Sequence, residues 1–131
     1  MIFTLRADPY QTDVIFSIAE EMPTFERYMR NHHGASDELI ASIKENLEHK
    51  AKNMHGMTLH FDNGAVFIHL KHPVMGSATM GLLVHEVLHA VSCIFSRVGI
   101  PFSDDTEEAW CYLQQHLCQM AFKKIGDKHW K

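Results

Sequence analysis

The sequence predicts a single domain of the α+β class, because strand-like and helix-like segments both occur in one chain of 131 residues. Three observations carry this prediction. The dipeptide Asn63-Gly64 separates two β-prone segments at 57–61 and 66–70, which is a strong hairpin signal. A long apolar segment at about 78–97 is helical in its spacing, and a second helical segment opens with acidic residues near position 105.

The first fifty residues predict two strands followed by two helices. Positions 2–5 and 13–19 are β-prone apolar segments, and 24–31 has the composition of a short helix. Ser36 is a good N-cap for the next helix, because two acids follow it in the first turn. Apolar residues then recur at helical spacing, which predicts a packing helix: Leu39, Ile40, Ile43, Leu47, Ala51 and Met54.

The hairpin prediction includes a register. If Asn63 and Gly64 form a two-residue type I′ turn, Asp62 pairs with Ala65 and Phe61 with Val66. One face of the hairpin then collects its apolar residues: Met57, Leu59, Phe61, Val66, Ile68 and Leu70. The opposite face carries mostly polar residues and looks toward solvent or a groove: Thr58, His60, Asp62, Phe67, His69 and Lys71.

Composition narrows the classes of partner. The chain has 12 basic and 16 acidic residues, so no basic patch favours nucleic acid. We find neither an uninterrupted apolar run of membrane-spanning length nor a signal-peptide pattern at the N-terminus, and we therefore expect a cytoplasmic protein without a membrane partner. The three cysteines are an odd number spread through helical segments, which indicates reduced thiols.

The pattern His85-Glu86-x-x-His89 lies inside the long apolar helix. Residues four apart stand one above the other on a helix, so the two imidazoles can face one cation. Zn²⁺ suits imidazole ligands, and Glu86 is placed to act as a general base on a nearby water. The alternative is a pair of structural histidines without a metal. Cys93 follows His89 by four residues, but three ligands on one straight helix diverge from a single ion.

The next helix is expected to supply the third ligand. Its predicted inward face includes Ala109, Tyr112, Leu113, His116, Leu117 and Met120. Glu108 belongs to this face and is the predicted ligand, with Glu107 and Asp105 as alternatives. The same acids would also stabilise the helix N-terminus without any metal. Tyr112 and His116 are candidate hydrogen-bond donors to an oxyanion, although both also suit an ordinary core position.

These motifs resemble those of the zincin metallopeptidases, and a glutamate third ligand resembles the gluzincin arrangement. The hairpin at 62–64, the helix end at 97–101 and Glu107-Glu108-Ala109 are similar to small zincin-like proteins encoded by tailed bacteriophages. This resemblance covers roughly residues 57 to 117. It implies a small antiparallel sheet packed on the motif helix, with zinc bound by His85, His89 and a glutamate. It also implies the host cytoplasm as the location.

The function predicted from these residues is zinc-dependent hydrolysis of a peptide bond in a peptide or protein substrate, with Glu86 as the base. Two alternatives stay open. The first is a zinc-binding protein without catalysis that serves as an interaction module, for which the eight methionines would offer adaptable surface. The second is a small structural domain that binds no metal. The sequence does not indicate a substrate sequence or an oligomeric state.

Overall fold

The structure, a computed structural model, describes residues 1–50 and 54–126. Four strands and four α-helices follow one another as β1 (Ile2–Ala7), β2 (Thr12–Ile18), α1 (Met22–His33), α2 (Asp37–Glu45), β3 (Gly56–His60), β4 (Val66–Leu70), α3 (Ser77–Val98) and α4 (Glu107–Gly126). One π-helical turn, Asn46–Lys50, continues α2. The predicted α+β class is confirmed. Ala51, which we expected on the inner face of α2, lies outside the described residues.

The four strands form one sheet in the order β1-β2-β4-β3. β1 pairs with β2 antiparallel, and β3 pairs with β4 antiparallel, but β2 and β4 run parallel. The sheet is therefore mixed, and the expectation of a purely antiparallel sheet was wrong. A parallel pair needs a long crossover connection, and here α1, α2 and the antiparallel strand β3 together form it between β2 and β4.

The hairpin register differs from the predicted one by one residue. Leu59 pairs with Phe67 and His60 with Val66. Phe61 and Ala65 close a three-residue loop, in which Gly64 has a φ of 90°. The prediction assumed a two-residue turn, whereas three-residue loops with a left-handed last residue are the next commonest hairpin type. A slip of one residue reverses every side chain of a strand, so Met57 and Leu59 lie on the opposite face from Val66 and Ile68.

This register places polar residues of β3 beneath the motif helix. Thr58 and His60 share the face of Val66, Ile68 and Leu70, which packs against α3 and α4. The other face packs against α1 and α2, and a second apolar cluster fills it: Ile15, Phe25, Met29, Ala35, Ile40, Ile43 and Phe67. The sheet is thus covered by helices on both faces, and neither face of the hairpin is simply the solvent side.

Helix ends follow the local signals. Ser36 caps α2 by accepting a hydrogen bond from the Leu39 amide at 3.2 Å. Gly99 ends α3 with a left-handed φ of 77°. Among the described residues, α3 is the one helix that is long and apolar enough to cross a membrane, with a mean hydropathy of 1.5. The core helix of a soluble protein can have the same length and hydropathy.

The buried face of α4 includes the predicted Leu113 and Leu117 but not Tyr112 or His116. Leu113, Leu117, Ala121 and Ile125 point into the core, whereas Tyr112 is 66 % exposed and His116 is exposed. Glu108 is nine residues, or two and a half turns, before Leu117, and it therefore lies on the opposite side of the helix. The periodic pattern was assigned one position out of phase, because several apolar residues of this helix lie outside the core.

Candidate metal and catalytic site

The centre of the candidate site is the histidine pair on α3. The Nε2 atoms of His85 and His89 are 3.3 Å apart, and both side chains are exposed. Two nitrogens bound tetrahedrally to one zinc at 2.0–2.1 Å would be about 3.3 Å apart. The same separation also permits a single N–H···N hydrogen bond between the two rings. The separation of the pair is therefore compatible with two ligands of one zinc ion.

The two histidines line an open groove of about 420 Å³. Its remaining walls are Leu88 and Ser92 on the same helix and Phe102 and Trp110 on the far side. The Phe102 ring meets the Trp110 ring edge-on, with centroids 5.3 Å apart. The groove is thus a mostly apolar, open depression around two exposed imidazoles.

Glu86 points away from this groove, toward the edge strand β3. Its residue is only 4 % exposed, and Thr58 Oγ1 lies 2.5 Å from Oε2 and donates to it. The same hydroxyl lies 3.1 Å from the Glu86 carbonyl oxygen. Within residues 1–50 and 54–126, no donor binds Oε1. Thr58 therefore fixes one carboxylate oxygen and leaves the other free to accept a proton.

Gly56 is the reason that the carboxylate fits between α3 and β3. A Cβ atom added at Gly56 would lie 3.2 Å from both Cγ and Oε1 of Glu86, and 3.0 Å from a Leu70 methyl group. Such distances are tighter than ordinary van der Waals contact, so a larger residue would push the carboxylate aside. The close approach of the strand backbone thus gives the buried acid its place.

The acids before and within the start of α4 are all exposed, including Asp105, Glu107 and Glu108. Glu107 is one turn before Trp110, whose ring lines the groove, whereas Glu108 lies on the other side of the helix. Across the described part of the chain, no three histidine, cysteine, aspartate or glutamate side chains are grouped to hold one metal ion. The structure therefore brings His85 and His89 together, but groups none of these acids with them.

The remaining predicted residues lie apart from the histidine groove. Neither Tyr112 nor His116 is among the groove's lining residues. Cys93 lines a neighbouring cavity on the hairpin side, and burial raises the pKa of its thiol. Cys93 is not among the residues that line the histidine groove.

Sequence analysis missed two contributors, Thr58 and the aromatic wall formed by Phe102 and Trp110. Thr58 was predicted on the face that looks toward solvent or a groove, because the predicted hairpin register was one residue out. No signal in the sequence pairs Thr58 with Glu86, which is 28 residues away. The aromatic wall depends on how the loop before α4 folds back along α3, and this is a tertiary feature.

No protein-family model, no curated protein and no solved structure matches the chain.

Proposed function

We propose that this protein is a zinc-dependent hydrolase that cleaves peptide bonds at the His85–His89 groove. The observation that carries the proposal is the 3.3 Å separation of the two Nε2 atoms, which equals the spacing of two zinc ligands. The third ligand comes from the acids at the start of α4. Glu108 is the ligand predicted from the sequence, and Glu107 shares the side of Trp110. Glu107 has to turn its side chain toward the groove when the ion binds, whereas Glu108 can reach the groove only if α4 also rotates.

Zinc, when bound, lowers the pKa of a water molecule and polarises a carbonyl group. The chain supplies the remaining parts of the reaction. Glu86 is the proposed base: its carboxylate is buried against β3 and points away from the groove, so it has to turn toward the attacking water, accept its proton and afterwards donate it to the leaving amine. Thr58 holds Oε2 in the buried position. Tyr112 and His116 were predicted as oxyanion donors, but both are exposed and lie outside the groove, so no step is assigned to them.

A peptide is the substrate class that the edge of the sheet favours. β3 is a terminal strand in the sheet order, so one of its edges has no strand partner among the described residues. An extended peptide can add to such an edge through backbone hydrogen bonds. Since Thr58 on β3 contacts Glu86, a peptide along this strand would pass close to the predicted base.

The first experiment tests metal binding. The purified protein is titrated with Zn²⁺ and followed by calorimetry, and the stoichiometry is checked by elemental analysis. We expect one ion per chain, and loss of binding in His85→Asn and His89→Asn. His116→Asn is the matched control, because that histidine is exposed and lies outside the groove. Retention of zinc by both motif variants would refute the proposed site.

The second experiment separates catalysis from metal binding. A mixed pool of peptides is incubated with zinc-loaded protein, and new termini are identified by mass spectrometry. Glu86→Gln should keep zinc but lose at least a hundredfold in turnover, since a general base contributes about 10²–10⁴. Zinc binding without any cleavage by the unaltered protein would favour the non-catalytic interaction module. Glu108→Gln and Glu107→Gln show which of the two acids is the third ligand. The variant that lacks the ligand should bind zinc more weakly, and the other should bind it as the unaltered protein does.

A further inference from the structure

Arg97 presents a fixed guanidinium near the C-terminal end of α3. Its Nη2 donates to Thr12 Oγ1 at 2.8 Å and lies 3.5 Å from the Tyr10 carbonyl oxygen. Its Nη1 lies against Gly64, where an added Cβ atom would be 1.3 Å away. Thr12 is buried. The guanidinium is therefore held by β2 on one side and by the hairpin loop on the other, and its position is set before any ligand arrives.

This guanidinium lines a cavity of about 450 Å³ between the hairpin and α3. Most of the polar lining groups are donors or can act as donors: His60, Ser92, Ser96 and Arg97. Ser92 also lines the groove of the histidine pair. The two depressions therefore adjoin along one side of α3, and a single extended ligand can occupy both.

The charge of Arg97 is not neutralised in the described parts of the chain. None of the ion pairs found there includes it, and neither Nη1 nor Nε makes a hydrogen bond. Asp62 lines the same cavity, but it is exposed on the hairpin loop and forms no ion pair with another described residue. Nη2 is engaged by Thr12 and Nη1 lies against Gly64, so Nε is the nitrogen that can still donate a charge-assisted hydrogen bond to a carboxylate, as far as the described residues show.

We propose that this cavity is a carboxylate subsite in which Arg97 binds an acidic group of an extended peptide. The inference rests on the proposed function, because the peptide is the one held at the histidine pair. His89 and Arg97 are eight residues apart on α3, which is about 12 Å. An extended chain covers this distance in three or four residues. The acidic group is therefore a side chain, or the C-terminal carboxylate, three or four residues from the cleaved bond.

The experiment measures binding, so it does not depend on turnover. Fluorescein-labelled octapeptide pools, each with one position fixed as Glu or Gln and the others mixed, are titrated into zinc-loaded Glu86→Gln protein. Each pool is made with a free and with an amidated C-terminus. We expect about fivefold tighter binding for Glu at one position, or for the free terminus, as for an exposed ion pair of about 1 kcal/mol. Comparison of the Glu with the Gln pools detects a side-chain carboxylate, and comparison of the free with the amidated pools detects a C-terminal carboxylate.

Variants assign the preference to the residue. A second substitution, Arg97→Gln, should remove the difference between the Glu and Gln pools, and Arg97→Lys should retain part of it. Arg30→Gln is the matched control, because it removes the same charge from the exposed surface of α1. If Arg97→Gln does not fold, the protein with the original arginine is measured at 0.05 and about 0.5 M salt, where screening should reduce the preference.

Equal binding of all pools, no detectable binding, or a preference that survives Arg97→Gln or is insensitive to salt would overturn the subsite. Such results are consistent with Arg97 as a structural clamp only. They leave the proposed function standing if zinc binds and peptides are cleaved without an acidic preference. Failure of zinc binding, by contrast, refutes the proposed function by a separate measurement.

Discussion

Replacing Thr58 by valine removes the one hydroxyl that donates to the Glu86 carboxylate within the described residues. Valine has nearly the same shape, so the packing between β3 and α3 is preserved. The hydrogen bond is 2.5 Å long, and its acceptor is a carboxylate that is 4 % exposed. Hydrogen bonds to charged groups contribute about 1.5–3 kcal/mol. We expect Thr58→Val to lower the free energy of unfolding by about 2 kcal/mol.

Urea denaturation followed by circular dichroism measures this loss. With a slope of about 1–3 kcal/mol per molar urea, the midpoint should fall by about 1 M. Thr58→Ser keeps the hydroxyl and serves as the control, so its midpoint should stay much closer to that of the unaltered protein. The slope should remain unchanged, because neither variant alters the surface exposed on unfolding.

A double-mutant cycle attributes the effect to the pair. In the Glu86→Gln background the acceptor is neutral, and a neutral hydrogen bond contributes only about 0.5–1.5 kcal/mol. Thr58→Val should therefore cost about 1 kcal/mol less in that background. A loss below about 0.5 kcal/mol for the single variant, or strict additivity in the cycle, would refute the claim that Thr58 anchors the buried carboxylate.

Three further predictions concern the fold around the site. Gly56→Ala must displace Glu86, so it should lower the free energy of unfolding by about 1 kcal/mol and reduce any peptidase activity, as urea midpoints and peptide cleavage would show. Gly64 and Gly34 both have a positive φ, but an added Cβ atom would meet the Arg97 guanidinium at Gly64 and open space at Gly34. Gly64→Ala should therefore lower the free energy of unfolding more than Gly34→Ala in the same urea assay. Burial lowers the pKa of His69 from its ordinary 6.5, so its stabilising contribution is present above pH 6.5 and is lost as the pH falls. The urea midpoints at pH 7.5 and pH 5 should therefore differ less in His69→Phe than in the unaltered protein.

The hairpin shows which structural feature the local sequence did not predict, namely the register of its two strands. Asn63-Gly64 correctly located the turn, but the dipeptide suits both a two-residue and a three-residue loop. The difference is one residue of register, and it decided whether Thr58 faced solvent or Glu86. The choice between the loops depends on how the strand packs against α3, where Gly56 allows the close approach.

The α4 face shows a second limit. Acids at its start were predicted and found, because the helix dipole favours them wherever the helix packs. Which of them faces the groove depends on the rotation of α4 against α3. Apolar and aromatic residues lie on several sides of this helix, so periodicity alone chose the wrong phase and put Glu108 on the inner face.

The sequence by itself determined the elements and the spacing of the motif, because strand alternation, caps and the four-residue helical repeat are local properties of a chain. It also determined that His85 and His89 share a face of α3. The tertiary structure alone decided the partner of Glu86, the aromatic wall and the position of Arg97. Each of these depends on segments distant in sequence meeting at one place, and packing of the whole core sets that meeting.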